Sequence, residues 1–288
     1  MVNGERWSYC DSKLNRIKYK KSIADAAVDG EVPEGNLRSP AQAQADLMAW
    51  LERLDRGETA QIERRAIVVP LDGDDPKGEA KRLRKYGDFS AMNARWNTSN
   101  STTTAKRLAE SPEEWGQYHA LYRRARETWT VVPFKEVIAW AKAREDRVIG
   151  DFGCGEALIA EAVGDRHVVH SFDHVAINDR VIAGDMAHTP LEDGCLDVAV
   201  FCLSLMGANF TDYLREAHRA LKLDGVLFVW EARSRFDDPG AFCRDLERLG
   251  FKVYKPEERG QFVCIEGRKT ERVPDPDVVL SFRSAGTA

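Results

Sequence analysis

The sequence predicts an α/β fold, a doubly wound and mainly parallel sheet preceded by a helical cap, and two observations carry that expectation. After Asp146 the β-rich runs RVIGDFG, HVVHSFD, VIAGD, LDVAVFCLS, GVLFVWEA and FKVYK alternate with helix-compatible segments, which is the pattern of strands joined by crossover helices. Between Ala94 and Ala143 the apolar residues recur instead at helical spacing.

Taken in order, residues 1–39 mix charges with prolines and glycines and show little periodicity, which reads as a poorly ordered or docking segment. From Ser39, AQAQADLMAWLERLDRG reads as an amphipathic helix ending at Gly57, with Leu47, Trp50, Leu51 and Leu54 at helical spacing. IERRAIVV, residues 62–69, is a candidate short strand, and PLDGDDPKGEAKRLRKYGDFS after it reads as a linker. In the cap, SPEEWGQYHALYRRARETW opens on a Ser-Pro-Glu-Glu helix entry, and Pro133 interrupts before FKEVIAWAKA. Glycine turns and helix-compatible segments such as LIAEAV then separate the strands. The chain divides into an extension (1–93), a helical cap (94–146) and a sheet domain (147–288).

Composition narrows the function classes. With 288 residues, 43% hydrophobic and 31% charged, the chain can bury a substantial core. It contains no apolar run near the roughly 18 residues of a membrane span. MVNGERWSYCDSKLNRIKYKK has no apolar leader, so a cytoplasmic location and no membrane are expected. The 6 cysteines form no CxxC pair and have no histidines at ligand spacing, which argues against a metal site or a disulfide framework. The net charge is -5, but residues 1–146 hold 25 Lys and Arg against 23 Asp and Glu (+2), and residues 147–288 hold 17 against 24 (-7). A polyanion would therefore be gripped by the first part.

The chemistry concentrates at strand ends. VIGDFGCGEA is an apolar strand running into a turn of Gly153 and Gly155 and then a helix, an arrangement that brings backbone N–H groups close to a ligand. Asp173 lies some twenty residues on, where such folds place a ribose diol. VIAGDM then supplies Asp185, a carboxylate that can accept an exocyclic amine, and Met186, an apolar side chain that can cover a ring. Each alone could be a capping carboxylate or a core methionine; in this order they describe an adenosine pocket. DVAVFCLSLMG places Cys202, Ser204, Met206 and Gly207 at the ligand-binding edge. Neither a GxGxxG cradle nor a P-loop is present, so a cofactor without a pyrophosphate fits better.

DFGCGEA, HSFD, NDRVIAGDMAHTPL, VFCLSLMG, LKLDGVLFVWEARSRF and LGF, with RWNTSNSTTTAKRLAESPEEWGQYHALYRRARETW upstream, resemble the nucleomethylin or ribosomal RNA-processing protein 8 methyltransferases. The resemblance covers about Ala94 to Phe262. It implies a seven-stranded Rossmann-like methyltransferase sheet and S-adenosyl-L-methionine as cofactor. The cofactor shell it implies is His119, Gly153, Asp173, Asp185, Met186 and Cys202, with Gly155 completing the turn. Family members methylate N1 of an adenine in large-subunit ribosomal RNA or bind modified chromatin, so RNA is the implied substrate, with a protein partner conceivable through residues 1–93. The chain departs from the family in three places. Gly184 and His174 stand where the family has a cysteine and a leucine, and ERVPDPDVVLSFRSAGTA replaces a basic tail.

Methyl transfer needs alignment and exclusion of water more than an acid-base pair, and an adenine N1 already carries a free lone pair. The (D/N)PP(Y/F) motif of exocyclic-amine methyltransferases is absent. Leu203, Ser204, Leu205 and Met206 are the candidate floor under the target base, with Glu231 and Arg233 at the next strand end. Alternatively Ser204 caps a turn, and Glu231 and Arg233 pair with each other. Lys106, Arg107, Arg123, Arg124 and Arg126 are candidate phosphate anchors, against the plainer reading of a solvated face. A non-catalytic cofactor-binding scaffold, or a methyltransferase of a small molecule or protein, are the rival readings.

Overall fold

A computed structural model describes residues 76–283. The helix at 40–57, the strand at 62–69 and the segment before them lie outside the described residues.

Among the described residues five helices precede the sheet: α1 (Pro76–Tyr86), α2 (Phe89–Thr98), α3 (Ser101–Glu110), α4 (Pro112–Arg126) and α5 (Pro133–Lys142). The first, and the start of the second, fall in the stretch read as linker. Its turn formers cluster before Pro76, and PKGEAKRLRKY after them is rich in strong helix formers. Glu79 in its first turn and Arg84 and Lys85 in its last complement the helix dipole. Asp88 then caps α2, accepting from the Ala91 N–H at 2.8 Å, and Asn100 caps α3 through the Thr102 N–H at 3.1 Å.

Ser-Pro-Glu-Glu opens α4 as expected, but Glu114 does more than complement a dipole. It is 3% exposed, accepts from the Trp96 indole at 2.9 Å and pairs with Arg95 at 2.9 Å and Arg107 at 3.2 Å. This one carboxylate joins α2, α3 and α4 around Met92, Trp96, Leu108 and Trp115. Glu114→Ala would leave a buried indole without its acceptor and two guanidinium groups without their carboxylate. It is expected to cost about 3 kcal/mol, measured by urea unfolding followed through tryptophan fluorescence, with Glu114→Gln losing less.

The sheet comprises β1 (Val148–Phe152), β2 (Val168–Asp173), β3 (Val181–Ala183), β4 (Leu196–Cys202), β5 (Leu221–Ala232), β6 (Phe251–Val253), β7 (Glu257–Arg259) and β8 (Phe262–Lys269). It carries α6 (Leu158–Val163), α7 (Phe210–Ala220) and α8 (Pro239–Arg248) between strands. The order is β3-β2-β1-β4-β5-β8-β6, with β7 paired to β8. β1 to β5 run parallel, and β8 is antiparallel to both β5 and β6. The doubly wound, mainly parallel sheet is thus present along a seven-strand path, with short β7 as an eighth strand. β8 was not among the strands expected from sequence. FVCIEGRK mixes apolar residues with charges and a glycine, and its burial alternates, so it lacks the continuous apolar run of a central parallel strand.

Both faces are covered, as those apolar runs require. Along β4, Ala199 and Phe201 join the core containing Leu214 of α7 and Leu246 of α8, whereas Val198 and Val200 join that containing Val137 of α5 and Ile159 of α6. The tail packs into the first core: Val278 and Leu280 are buried, and Phe282 meets the Phe210 and Phe236 rings. Strand order reverses between β1 and β4, and the crevice beyond their carboxyl ends is where open sheets bind ligands.

Candidate active site

Beyond Phe152 the chain turns through Gly153 (φ +75) and Gly155 (φ +56). The N–H groups of Gly153 and Cys154 both donate to the Phe172 carbonyl, at 2.8 and 2.9 Å, tying the turn to β2. A Cβ on Gly153 would lie 2.3 Å from Cβ of Ser204, and one on Gly155 2.7 Å from the His119 ring. Conformation and packing therefore both demand glycine here.

The cleft beside this turn encloses about 960 Å3, its open mouth included. Of the implied cofactor shell, His119, Gly153, Gly155, Asp173, Met186 and Cys202 line it, as do Leu203, Ser204 and Met206 of the candidate floor. Asp185, Leu205 and Glu231 are not in the lining.

Asp173, 9% exposed at the end of β2, accepts from the Trp115 indole at 2.9 Å and from the Gly155 N–H at 2.9 Å. An ionised carboxylate offers about four lone-pair sites, so capacity remains for ligand hydroxyls. Asp185 sits behind Ser101: its carboxylate accepts from the Ser101 hydroxyl at 2.7 Å and the Ala187 N–H at 3.0 Å. Ser101, itself held by Asn209, forms that part of the wall. His119 stacks on Trp115 with ring centroids 3.7 Å apart. Burial lowers its pKa to about 4, so the imidazole is neutral at pH 7. Burial likewise raises the thiols of Cys154 and Cys202, so neither is a thiolate nucleophile.

After β4, Leu203 adopts φ +59 and its N–H donates to the Trp230 carbonyl at 2.8 Å. The Ser204 hydroxyl donates to the Phe152 carbonyl, clamping this loop to β1, and the Tyr118 hydroxyl meets Met206 Sδ at 3.5 Å. Glu231 is turned away from the cleft. It is 1% exposed, accepts from the Leu205 N–H at 3.1 Å and pairs with Arg235 at 2.8 Å. The alternative reading, a Glu231–Arg233 pair, does not form either: the 3-10 turn Arg233–Arg235 follows β5 directly, and Arg233 pairs with Glu258 at 2.7 Å instead.

The basic residues of the cap are also differently disposed than their sequence clustering suggests. Arg107 pairs with Glu114 at 3.2 Å, Arg124 with Glu79 at 2.8 Å, and Arg123 and Arg126 with Glu156, the latter at 3.9 Å. Lys106 is exposed. The Arg123–Glu156 pair fastens α4 to the glycine turn.

Asp151, the one charged residue of β1, belongs to the cleft as well and is not among the residues that the sequence motifs nominate. It is 3% exposed and lines the cleft. Burial, and then the neighbouring Asp173 charge, raise its pKa to about 7. The signal was available: a carboxylate inside an otherwise apolar strand, two residues before a glycine turn, needs a reason to be there. Trp115 and Ser101, which hold Asp173 and Asp185, were missed as well. The spacing of Trp115 and His119, one helical turn apart, was the clue to the first.

The cleft thus combines two neighbouring carboxylates, a neutral imidazole, a glycine turn and an apolar methionine. Its lining guanidinium, Arg126, is matched by Glu156 and lies over the Tyr122 and Phe134 rings. Such a site suits a ligand bearing positive charge and hydroxyl or amine donors, not a pyrophosphate.

A family described as a hypothetical methyltransferase matches residues 75–281. Ribosomal RNA-processing protein 8 of Caenorhabditis elegans is 36% identical over 219 residues, 75% of this chain and 64% of that protein. Its Arabidopsis thaliana counterpart is 37% identical over 204 residues, 68% of this chain and 70% of that protein. The 25S rRNA (adenine(645)-N(1))-methyltransferase of Schizosaccharomyces pombe is 38% identical over 210 residues, 64% of this chain and 66% of that protein. The match therefore spans just under two thirds of the nematode and yeast relatives' own length. With a family match over most of its length and relatives of this similarity, the chain belongs to the methyltransferase family that includes the ribosomal RNA-processing protein 8 proteins.

Proposed function

We propose that the protein transfers a methyl group from S-adenosylmethionine to N1 of an adenine in RNA, ribosomal RNA being the acceptor class that the relatives' names indicate. The observation that carries the cofactor reading is that Asp151 and Asp173 line one cleft at the switch point of the sheet, beside a turn in which both glycines are sterically required. When bound, S-adenosylmethionine supplies a methyl group activated by its sulfonium.

The residues fit that group. Asp173 has remaining acceptor capacity for a ribose diol, and Asp151 offers the negative charge that an ammonium needs. His119, kept neutral by burial, adds no positive charge to oppose a cation. Met186 supplies an apolar surface for a purine face, and Ser101 with Asp185 a polar one for its edge. Leu203, Ser204 and Met206 wall the region where an acceptor would approach, and the Ser204–Phe152 bond holds that wall in register with the glycine turn. No general base is called for, since an adenine N1 attacks with a lone pair that is free at neutral pH. The protein's task is positioning and exclusion of water.

One observation favours a second reading. Arg107, Arg123, Arg124 and Arg126 all have carboxylate partners within the protein, which weakens the cap as a phosphate-gripping surface and favours a smaller or differently held acceptor. Incubation with labelled S-adenosylmethionine and RNA lacking modifications, followed by nucleoside analysis, separates the two. Label in N1-methyladenosine supports the RNA reading; cofactor binding without transfer to RNA rejects it.

A further inference from the structure

Buried polar atoms without partners are uncommon, and each needs a cause. Thr104 on α3 is 4% exposed, yet its hydroxyl is buried with no hydrogen-bond partner. Nδ1 of His174, immediately after Asp173, is buried and unpartnered too. Both residues line the same cleft as Asp173, Met186 and Ser101. Thr104 stands three residues after Ser101, so the two share one face of α3. That face is locked to the sheet domain through the Ser101–Asp185 and Ser101–Asn209 bonds.

We propose that α3 of the cap is a working part of the cofactor site, with Thr104 hydrogen-bonding the nucleoside end of the ligand and His174 completing the same polar wall from the end of β2. The assignment rests on the cofactor reading above and extends it to a helix outside the sheet domain. An isolated sheet domain would keep His174 and lack the Thr104 contact. A threonine hydroxyl both donates and accepts, so it can serve a ribose hydroxyl or a purine edge. The cleft's nucleoside end is marked by Asp173 and Met186, whereas Asp151 marks the amino-acid end.

The test uses the full chain, with calorimetric titration of S-adenosylhomocysteine and of methylthioadenosine, which keeps the nucleoside and lacks the amino-acid tail. Thr104→Val is nearly isosteric and removes a hydroxyl that has no partner in the protein, so the melting temperature of the unliganded variant should be unchanged or higher. Its affinity for both ligands should fall by the same factor, about tenfold. Thr104→Ser should restore binding to within about threefold, and His174→Leu should also weaken both ligands. Equal affinity in Thr104→Val and wild type, or a loss confined to S-adenosylhomocysteine, overturns the assignment and leaves the cofactor reading intact. Failure of the wild type to bind either ligand rejects the cofactor reading itself.

Discussion

Asp173→Ala is expected to weaken S-adenosylhomocysteine binding by about 100-fold or more and to lower the stability of the unliganded protein by about 2–3 kcal/mol. Both effects follow from the same carboxylate. It accepts from the Trp115 indole and from the Gly155 N–H, each at 2.9 Å. It thus joins α4 of the cap and the glycine turn to the end of β2, beside the bonds from the Gly153 and Cys154 N–H groups to the Phe172 carbonyl. Alanine leaves two buried donors unsatisfied, and it removes the acceptor proposed for the ribose. Asp173→Asn should lie between, because an amide keeps one acceptor oxygen but turns an N–H2 toward a donor. Calorimetry and urea unfolding measure the two effects, and binding at wild-type strength in the alanine variant would contradict the assignment.

Asp151→Asn should produce opposite signs in the two measurements. Burial, reinforced by Asp173, raises the pKa of Asp151 from 3.8 to about 7. Below about pH 4 the folded and unfolded states both carry the proton. As pH rises toward 7 the unfolded chain has lost it while the folded protein retains it, so the raised pKa favours folding at low pH and that contribution is lost through pH 7. At about 1.4 kcal/mol per pH unit, asparagine should stabilise the protein at pH 8 by at most about 4 kcal/mol and have little effect at pH 4. Ligand binding should respond in the reverse sense. If the ionised carboxylate holds the ligand's ammonium, wild-type affinity should fall by up to about tenfold per pH unit below 7. The variant should bind weakly with no such dependence. Unfolding at pH 4 and pH 8, with titrations across that range, reads both. A variant no more stable than wild type at pH 8, or a wild-type affinity independent of pH, would contradict this account of Asp151. A buried acid that destabilises the empty protein is what a site built for a cationic ligand should contain.

The sheet was legible because its signals are local. Central strands buried on both faces read as apolar runs, and Gly153 and Gly155 announce their turn in the sequence itself. β8 was not, because its character comes from pairing antiparallel between β5 and β6, a non-local fact that its charges disguise. Helix α1 was hidden by the turn formers that precede Pro76. Within the candidate site, Gly153, Gly155, Asp173, Met186 and Cys202, named from the strand ends, line one cleft because topology alone brings those ends together. What failed was the direction in which side chains point. Glu231 was placed at the cleft from its position on β5, but the 3-10 turn after it brings Arg235 over its carboxylate instead. The cap arginines looked free in a basic run because their partners, Glu79, Glu114 and Glu156, are distant in sequence or buried. Asp151 was overlooked for the reverse reason: in sequence it reads as part of the glycine motif, and only its burial beside Asp173 exposes its chemistry.

The most direct measurement is a pair of titrations of the full chain at pH 8, one with S-adenosylhomocysteine and one with NAD. The carboxylate-lined cleft and its glycine turn predict saturable one-to-one binding of the first and none of the second. Binding of NAD, or no binding of S-adenosylhomocysteine, would contradict the claim that this cleft is a methyl-donor site.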